Sequence, residues 1–78
     1  MSSVRVREAG DAGLLLAELR EAIERLPDRE RAALLLREID GLETEEVALR
    51  MGSSPKTVRS HISRARARLR RWLGGKNE

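Results

Sequence analysis

Apolar residues along the chain recur at helical spacing in four stretches. Leu15, Leu16, Leu19, Ile23 and Leu26 predict a first helix from Asp11 or Ala12 to Leu26. Asp11 is positioned to cap its first turn, and Pro27, which has no N–H to donate, stops it. A second helix is predicted from Asp28 to Asp40, with Ala33, Leu34, Leu36 and Ile39 turned inward. Gly41 ends it, since glycine tolerates the left-handed conformation that follows a helix. A short third helix, Thr44 to Met51, has Val47, Ala48 and Met51 as its inner face, and Gly52 breaks the chain. The fourth begins at Ser54, an N-cap residue, with Pro55 at the first helical position, where a missing N–H costs nothing. It continues to Leu73, and Gly74-Gly75 ends it. The expected architecture is all-α: a four-helix domain over 12–73 with a C-terminal helix-turn-helix and a long recognition helix. Residues 1–11 form a flexible N-terminal linker in this reading and 74–78 a flexible tail.

The fourth helix is the most informative. Val58, Ile62, Ala65, Leu69 and Trp72 or Leu73 fall in one stripe at about 100° per residue. Lys56, Thr57, Ser60, Ser63, Arg64, Ala67 and Arg71 occupy the opposite side. Arg59, Arg66 and Arg70 lie on one flank, His61 and Arg68 on the other. No acid occurs between Gly52 and Asn77, where a merely solvated helix would interleave Glu with Lys. Small Ser and Ala on the outer side let the backbone approach a surface closely.

Charge sharpens this picture. The whole chain has a net charge of only +3. Met1 to Leu26 holds four Arg and five acids, and Pro27 to Arg50 holds four Arg and seven acids. Met51 to Glu78 holds eight Lys/Arg and one acid. Such segregation points to a polyanionic partner met by one face. With 78 residues the chain has room for one domain, which buries about 60–65% of its unfolded surface and leaves little for a deep substrate pocket. There is no cysteine and a single histidine, His61, so neither a disulfide nor a metal site is expected, and no cofactor. No nucleophile, base and orienting group converge, so the chain is not expected to be an enzyme. No apolar run is long enough to span a bilayer. Met1 to Gly13 does not read as a secretion signal, and a cytoplasmic protein is expected.

A short helix, a glycine turn and a basic helix make a helix-turn-helix. Ala48 sits where the two helices must come close, and Val58 and Ile62 pin the second onto the first. That arrangement projects the first half of the basic helix toward the major groove of double-stranded DNA. Lys and Arg on phosphates would supply affinity through counterion release. Arg, Ser, Thr and His at base edges would supply sequence choice.

The run Leu26-Pro27-Asp28-Arg29-Glu30-Arg31, then Leu34 to Leu42, Glu45-Glu46-Val47-Ala48, Met51-Gly52, Thr57-Val58-Arg59-Ser60 and Ser63 to Leu69 resembles region 4 of bacterial sigma factors. It is most similar to the extracytoplasmic-function (ECF) group. The resemblance covers about Leu14 to Leu73, and Thr57 to Leu69 is its most diagnostic part. It implies a domain that reads the −35 promoter element in transcription initiation and docks on the β flap of RNA polymerase core, with an anti-sigma factor as a possible further partner. The base-reading positions of the family then fall on Arg59, Ser60, His61, Ser63 and Arg64, and its backbone-contacting positions on Lys56 and Thr57. Three positions depart from the family pattern. His61 stands where arginine is common, Ser53 where an aliphatic residue anchors the turn, and Glu43 where Ser or Thr caps the helix, with Thr44 as the substitute cap. Sigma factors of this group also carry a region 2 domain that melts the −10 element with aromatic side chains. Trp72 is the one aromatic here, so the resemblance is to region 4 alone. Either an excised domain or a stand-alone protein built on the same module fits.

Two other classes remain open on sequence. One is a stand-alone LuxR-type helix-turn-helix regulator, which shares the four-helix layout and a Lys-Thr-Val run like Lys56-Thr57-Val58. Such domains usually dimerise through the last helix, whereas a monomer is expected here. The other is a protein-interaction module for an anti-sigma factor or polymerase subunit, for which neutralising Arg59 and Arg64 would leave partner binding intact. Trp72 is expected to close the core. Leu14, Leu35, Leu42 and Leu49, at the edges of the apolar stripes, are candidates for a docking patch. Glu43, Glu45 and Glu46 suit a solvated first turn that favours the helix dipole.

Overall fold

The computed structural model describes residues 16–74. Within them lie four helices: α1 (16–25), α2 (Asp28–Glu38), α3 (Thr44–Met51) and α4 (Pro55–Gly74). The expected start of α1 at Asp11 or Ala12, its residues Leu14 and Leu15, the N-terminal linker and residues 75–78 lie outside the described residues.

Leu26 turns the chain out of α1, its N–H donating to the Ile23 carbonyl at 3.1 Å. Pro27 then opens α2, and its carbonyl accepts from the Arg31 N–H at 2.9 Å. Helix α2 ends at Glu38, two residues earlier than its apolar pattern predicts. The Ile39 and Asp40 N–H groups both return to the Leu35 carbonyl, at 2.9 and 3.2 Å, and Gly41 takes φ +70°. Ile39 is consequently outside the core, 73% exposed. The loop is fastened by Arg37, whose Nη1 donates to the Leu42 carbonyl at 3.0 Å.

Helix α3 has the bounds its sequence predicts. Neither Glu43 nor Thr44 caps it with a side chain: Glu43 is the N-cap residue, and no side-chain cap bond forms there. Its C-terminus is closed by Gly52 at φ 64°, ψ 39°. The Ser53 N–H reaches back to the Ala48 carbonyl at 2.9 Å, the arrangement that left-handed glycine makes possible. Helix α4 starts where expected, with the Ser54 Oγ accepting from the Thr57 N–H at 3.1 Å. It runs one residue further than predicted, to Gly74.

One core joins the helices: Leu26, Ala33, Leu34, Val47, Ala48, Val58, Ile62 and Ala65 are buried together. Ile23, Leu36, Leu42, Met51, Leu69 and Trp72 close its edges. An alanine from each of α2, α3 and α4 (Ala33, Ala48, Ala65) is among the most deeply buried residues. Small side chains there allow the helix axes to approach without voids. Helix α1 departs from its prediction. Ala22 and Leu26 are buried, but Leu16 is 61% exposed and Leu19 is also at the surface. The inward face of α1 is therefore rotated toward Ala22, and its leucines are left on an open side.

Candidate nucleic-acid interface

The core stripe of α4 fixes which side of the helix is free. With Val58, Ile62 and Ala65 buried, Lys56, Thr57, Arg59, Ser60, Ser63 and Arg64 are all exposed. The structure thus brings six of the seven expected DNA-facing residues onto one accessible surface along the first half of the helix. His61, the seventh, is half-buried. Its Nδ1 is enclosed and has no hydrogen-bond partner among the described residues, so only part of the imidazole faces outward. The Thr57 Oγ1 accepts from the Ser54 Oγ at 3.0 Å, which holds the threonine at the helix tip while its own hydroxyl hydrogen remains available to donate.

The basic residues of α4 divide into two groups. Arg66 bonds Glu38 of α2, and the Arg68 Nε donates to the Glu30 Oε1 at 2.9 Å. Both tie the second half of α4 to α2. Lys56, Arg59, Arg64, Arg70 and Arg71 form no ion pair among the described residues, although α4 carries no acid of its own. The cations at the N-terminal end are therefore free for an external anion, and those in the middle are partly committed to the fold. The turn that aims the helix is clamped from α2: the Arg29 Nη2 donates to the Met51 carbonyl at 3.0 Å and to the Ser53 Oγ at 2.7 Å. Ser53, an unusual residue for this turn, thus anchors it by a hydrogen bond in place of apolar packing.

Sequence reasoning missed all three of these ties: the pairs Arg66–Glu38 and Arg68–Glu30 and the Arg29 clamp. For Glu30 a signal existed: it lies three and four residues before Ala33 and Leu34, on the apolar stripe, and an acid there needs a cationic partner. For Arg29 no local signal exists, because its partners lie 22 and 24 residues away. Trp72 is half-buried against the core as expected, with the Arg25 guanidinium 4.2 Å above its ring centre.

A second surface, sharing no residue with the first, lies between α1 and α2. Leu16, Leu19, Ile23 and Leu35 line an open groove of about 760 Å³ there, rimmed by Arg20, Glu24 and Arg31. Of the leucines expected to form a docking patch, Leu35 lies in this groove, Leu42 packs against the core, and Leu49 is exposed on α3. Leu14 lies outside the described residues. No helix among the described residues is long and apolar enough to cross a membrane, and no cluster of potential metal ligands occurs among them.

Residues 16–69 match the family described as Sigma-70, region 4. The chain is 44% identical over 57 residues to the ECF RNA polymerase sigma factor SigE of Mycolicibacterium smegmatis, covering 73% of this chain and 22% of that protein. It is 49% identical over 57 residues to the ECF RNA polymerase sigma-E factors of Salmonella typhimurium and Escherichia coli, covering 68% of this chain and 30% of each of those proteins. The chain therefore spans less than a third of the length of these relatives. No solved structure matches it significantly. The match favours the sigma reading over the LuxR-type one, and the chain belongs to the sigma-70 region 4 family, the non-enzymatic DNA-binding domain of sigma factors, in its extracytoplasmic-function group.

Proposed function

We propose that this domain reads the −35 promoter element of double-stranded DNA in the major groove and docks on RNA polymerase core, through its β flap, during transcription initiation. The observation that carries the reading is the exposed, acid-free face of α4, on which Lys56, Arg59 and Arg64 stand unpaired among the described residues. In this mechanism the core stripe and the Arg29 clamp fix the angle at which the helix leaves the turn. Lys56 and Thr57 hold phosphates through their side chains at the helix N-terminus, where the positive end of the helix dipole favours an anion. Arg59, Ser60, Ser63 and Arg64 face base edges, with His61 contributing from the flank. A guanidinium can bond guanine O6 and N7 together, and a hydroxyl can serve several acceptors. The apolar groove between α1 and α2 is the surface offered to the polymerase, and an anti-sigma factor covering either surface would silence the domain. The domain acts as a monomer, in the cytoplasm.

The test is Arg64→Ala, measured by fluorescence anisotropy on a duplex carrying the preferred element and on its scramble. Loss of a base contact should cost about 1–3 kcal/mol on the element and much less on the scramble. Equal losses on both would reduce Arg64 to a phosphate contact, and no loss on either would remove it from the interface.

A further inference from the structure

On one flank of the recognition helix the structure builds a cationic cleft that neither the sequence pattern nor the family match assigns. Arg59, Ser63, Arg66 and Arg70 follow one another at i, i+4, i+7 and i+11 along α4 and line one wall. Arg37 near the end of α2, Thr44 at the start of α3 and Ile62 of α4 also line the cleft, which is open and has a volume of about 450 Å³. Three helices converge on it, so its shape depends on the tertiary fold. The Arg37 side chain is held in place by the bond from its Nη1 to the Leu42 carbonyl. Arg66 is held by Glu38, the one carboxylate bonded to any of these arginines among the described residues. Four arginines, a serine, a threonine and Ile62 thus line the cleft, and no acid is among the lining residues.

Such a lining is rich in donors and poor in acceptors. The ligand it suits is a chain of anionic oxygens, because each guanidinium fork matches a phosphate or carboxylate edge. The cleft is elongated along α4: Arg59 and Arg70 are about 16 Å apart at 1.5 Å of rise per residue. Continuity decides between a compact anion and an extended one. Arg59 and Ser63 belong both to this cleft and to the exposed face proposed to meet bases, so a ligand lying on that face continues into the cleft. We propose that Arg37, Thr44, Arg66 and Arg70, with Arg59 and Ser63 at the junction, form a phosphodiester track that grips the DNA backbone beside the groove the helix enters. This rests on the DNA-binding reading above and adds to it a backbone contact from α2, outside the helix-turn-helix. Glu38 tempers the track by pairing with Arg66 and opposing the phosphates.

The experiment compares the parent domain with Arg37→Gln, Arg70→Gln and Glu38→Gln on the element and the scramble across a salt series. Circular dichroism melts verify that each variant is folded. Losing one phosphate contact should lower the slope of log affinity against log salt by about 0.9. Arg37→Gln and Arg70→Gln should each weaken both duplexes equally, by about three- to tenfold near physiological salt. Glu38→Gln should tighten both. Preference for the element should survive in all three. Unchanged slopes and affinities for both arginine variants would overturn the proposal while leaving element recognition standing. A parent domain that binds both duplexes alike would overturn the −35 reading, with the slopes still reporting on the track. Free pyrophosphate, titrated against the arginine Nε–H resonances, separates the two sources of phosphate. Saturable shifts at Arg37 and Arg70 together with unchanged duplex slopes would assign the cleft to a free phosphate ligand and refute the DNA track.

Discussion

Replacing Arg68 with alanine should destabilise the domain more than any change on the outer face of α4, although Arg68 belongs to the same basic run. The reason is Glu30. Its side chain is 8% exposed, whereas that of Arg68 is 41% exposed. Truncating the arginine leaves a carboxylate in the core with no partner, while truncating the acid leaves a guanidinium that can turn to water. Breaking a fully buried pair costs about 3–5 kcal/mol. Because water reaches the arginine side of this pair, about 1–3 kcal/mol is the appropriate range, with solvent screening reducing the rest. A domain of this size has about 3–9 kcal/mol of stability in total. The melting temperature should then fall by about 5–20 °C. Glu30→Gln should cost less than half as much. The assay is thermal unfolding followed by far-ultraviolet circular dichroism, with urea titrations to obtain free energies. An Arg68→Ala variant within about 0.5 kcal/mol of the parent, or a Glu30→Gln variant costing more than Arg68→Ala, would refute the assignment of this pair as a tether.

Two other outcomes follow from the turn and the groove. Gly52→Ala meets no atom within 4 Å, so its cost is the left-handed backbone alone, about 1–2 kcal/mol by urea unfolding. Leu16→Asp, at a residue 61% exposed on α1, should leave stability within about 0.5 kcal/mol and DNA affinity unchanged, while weakening capture of RNA polymerase core in a pull-down. Unimpaired capture would remove the α1–α2 groove from the docking surface.

Much of this domain is legible from local pattern. Thr44 to Met51 forms a helix whose inner side is set by the spacing of Val47, Ala48 and Met51 and whose end is set by the left-handed Gly52. The start of α4 is set by Ser54 and Pro55, and its buried side by the spacing of Val58, Ile62 and Ala65. These are short-range signals, and the exposed positions of Lys56, Thr57, Arg59, Ser60, Ser63 and Arg64 follow from them. What escaped depends on contacts between elements. Ile39 continues the apolar spacing of α2, yet Gly41 and the double return to the Leu35 carbonyl end the helix before it can pack. Leu16 and Leu19 fit a helical stripe as well as Ala22 does. Which edge of the stripe is buried depends on how α1 meets α2, and spacing alone cannot fix that rotation. The Arg29 clamp and the pairs Glu30–Arg68 and Glu38–Arg66 join positions far apart in sequence, so the arginines of α4 look interchangeable until the fold separates them.

The central claim is tested most directly by titrating the parent domain with two fluorescent duplexes, a GGAAC-type −35 element and its scramble, each at low and at moderate salt. The account predicts tighter binding to the element and a preference that persists at moderate salt, since base contacts survive when counterion release weakens. Equal binding that disappears as salt rises would leave a nonspecific basic helix. No binding at either salt would contradict the account outright.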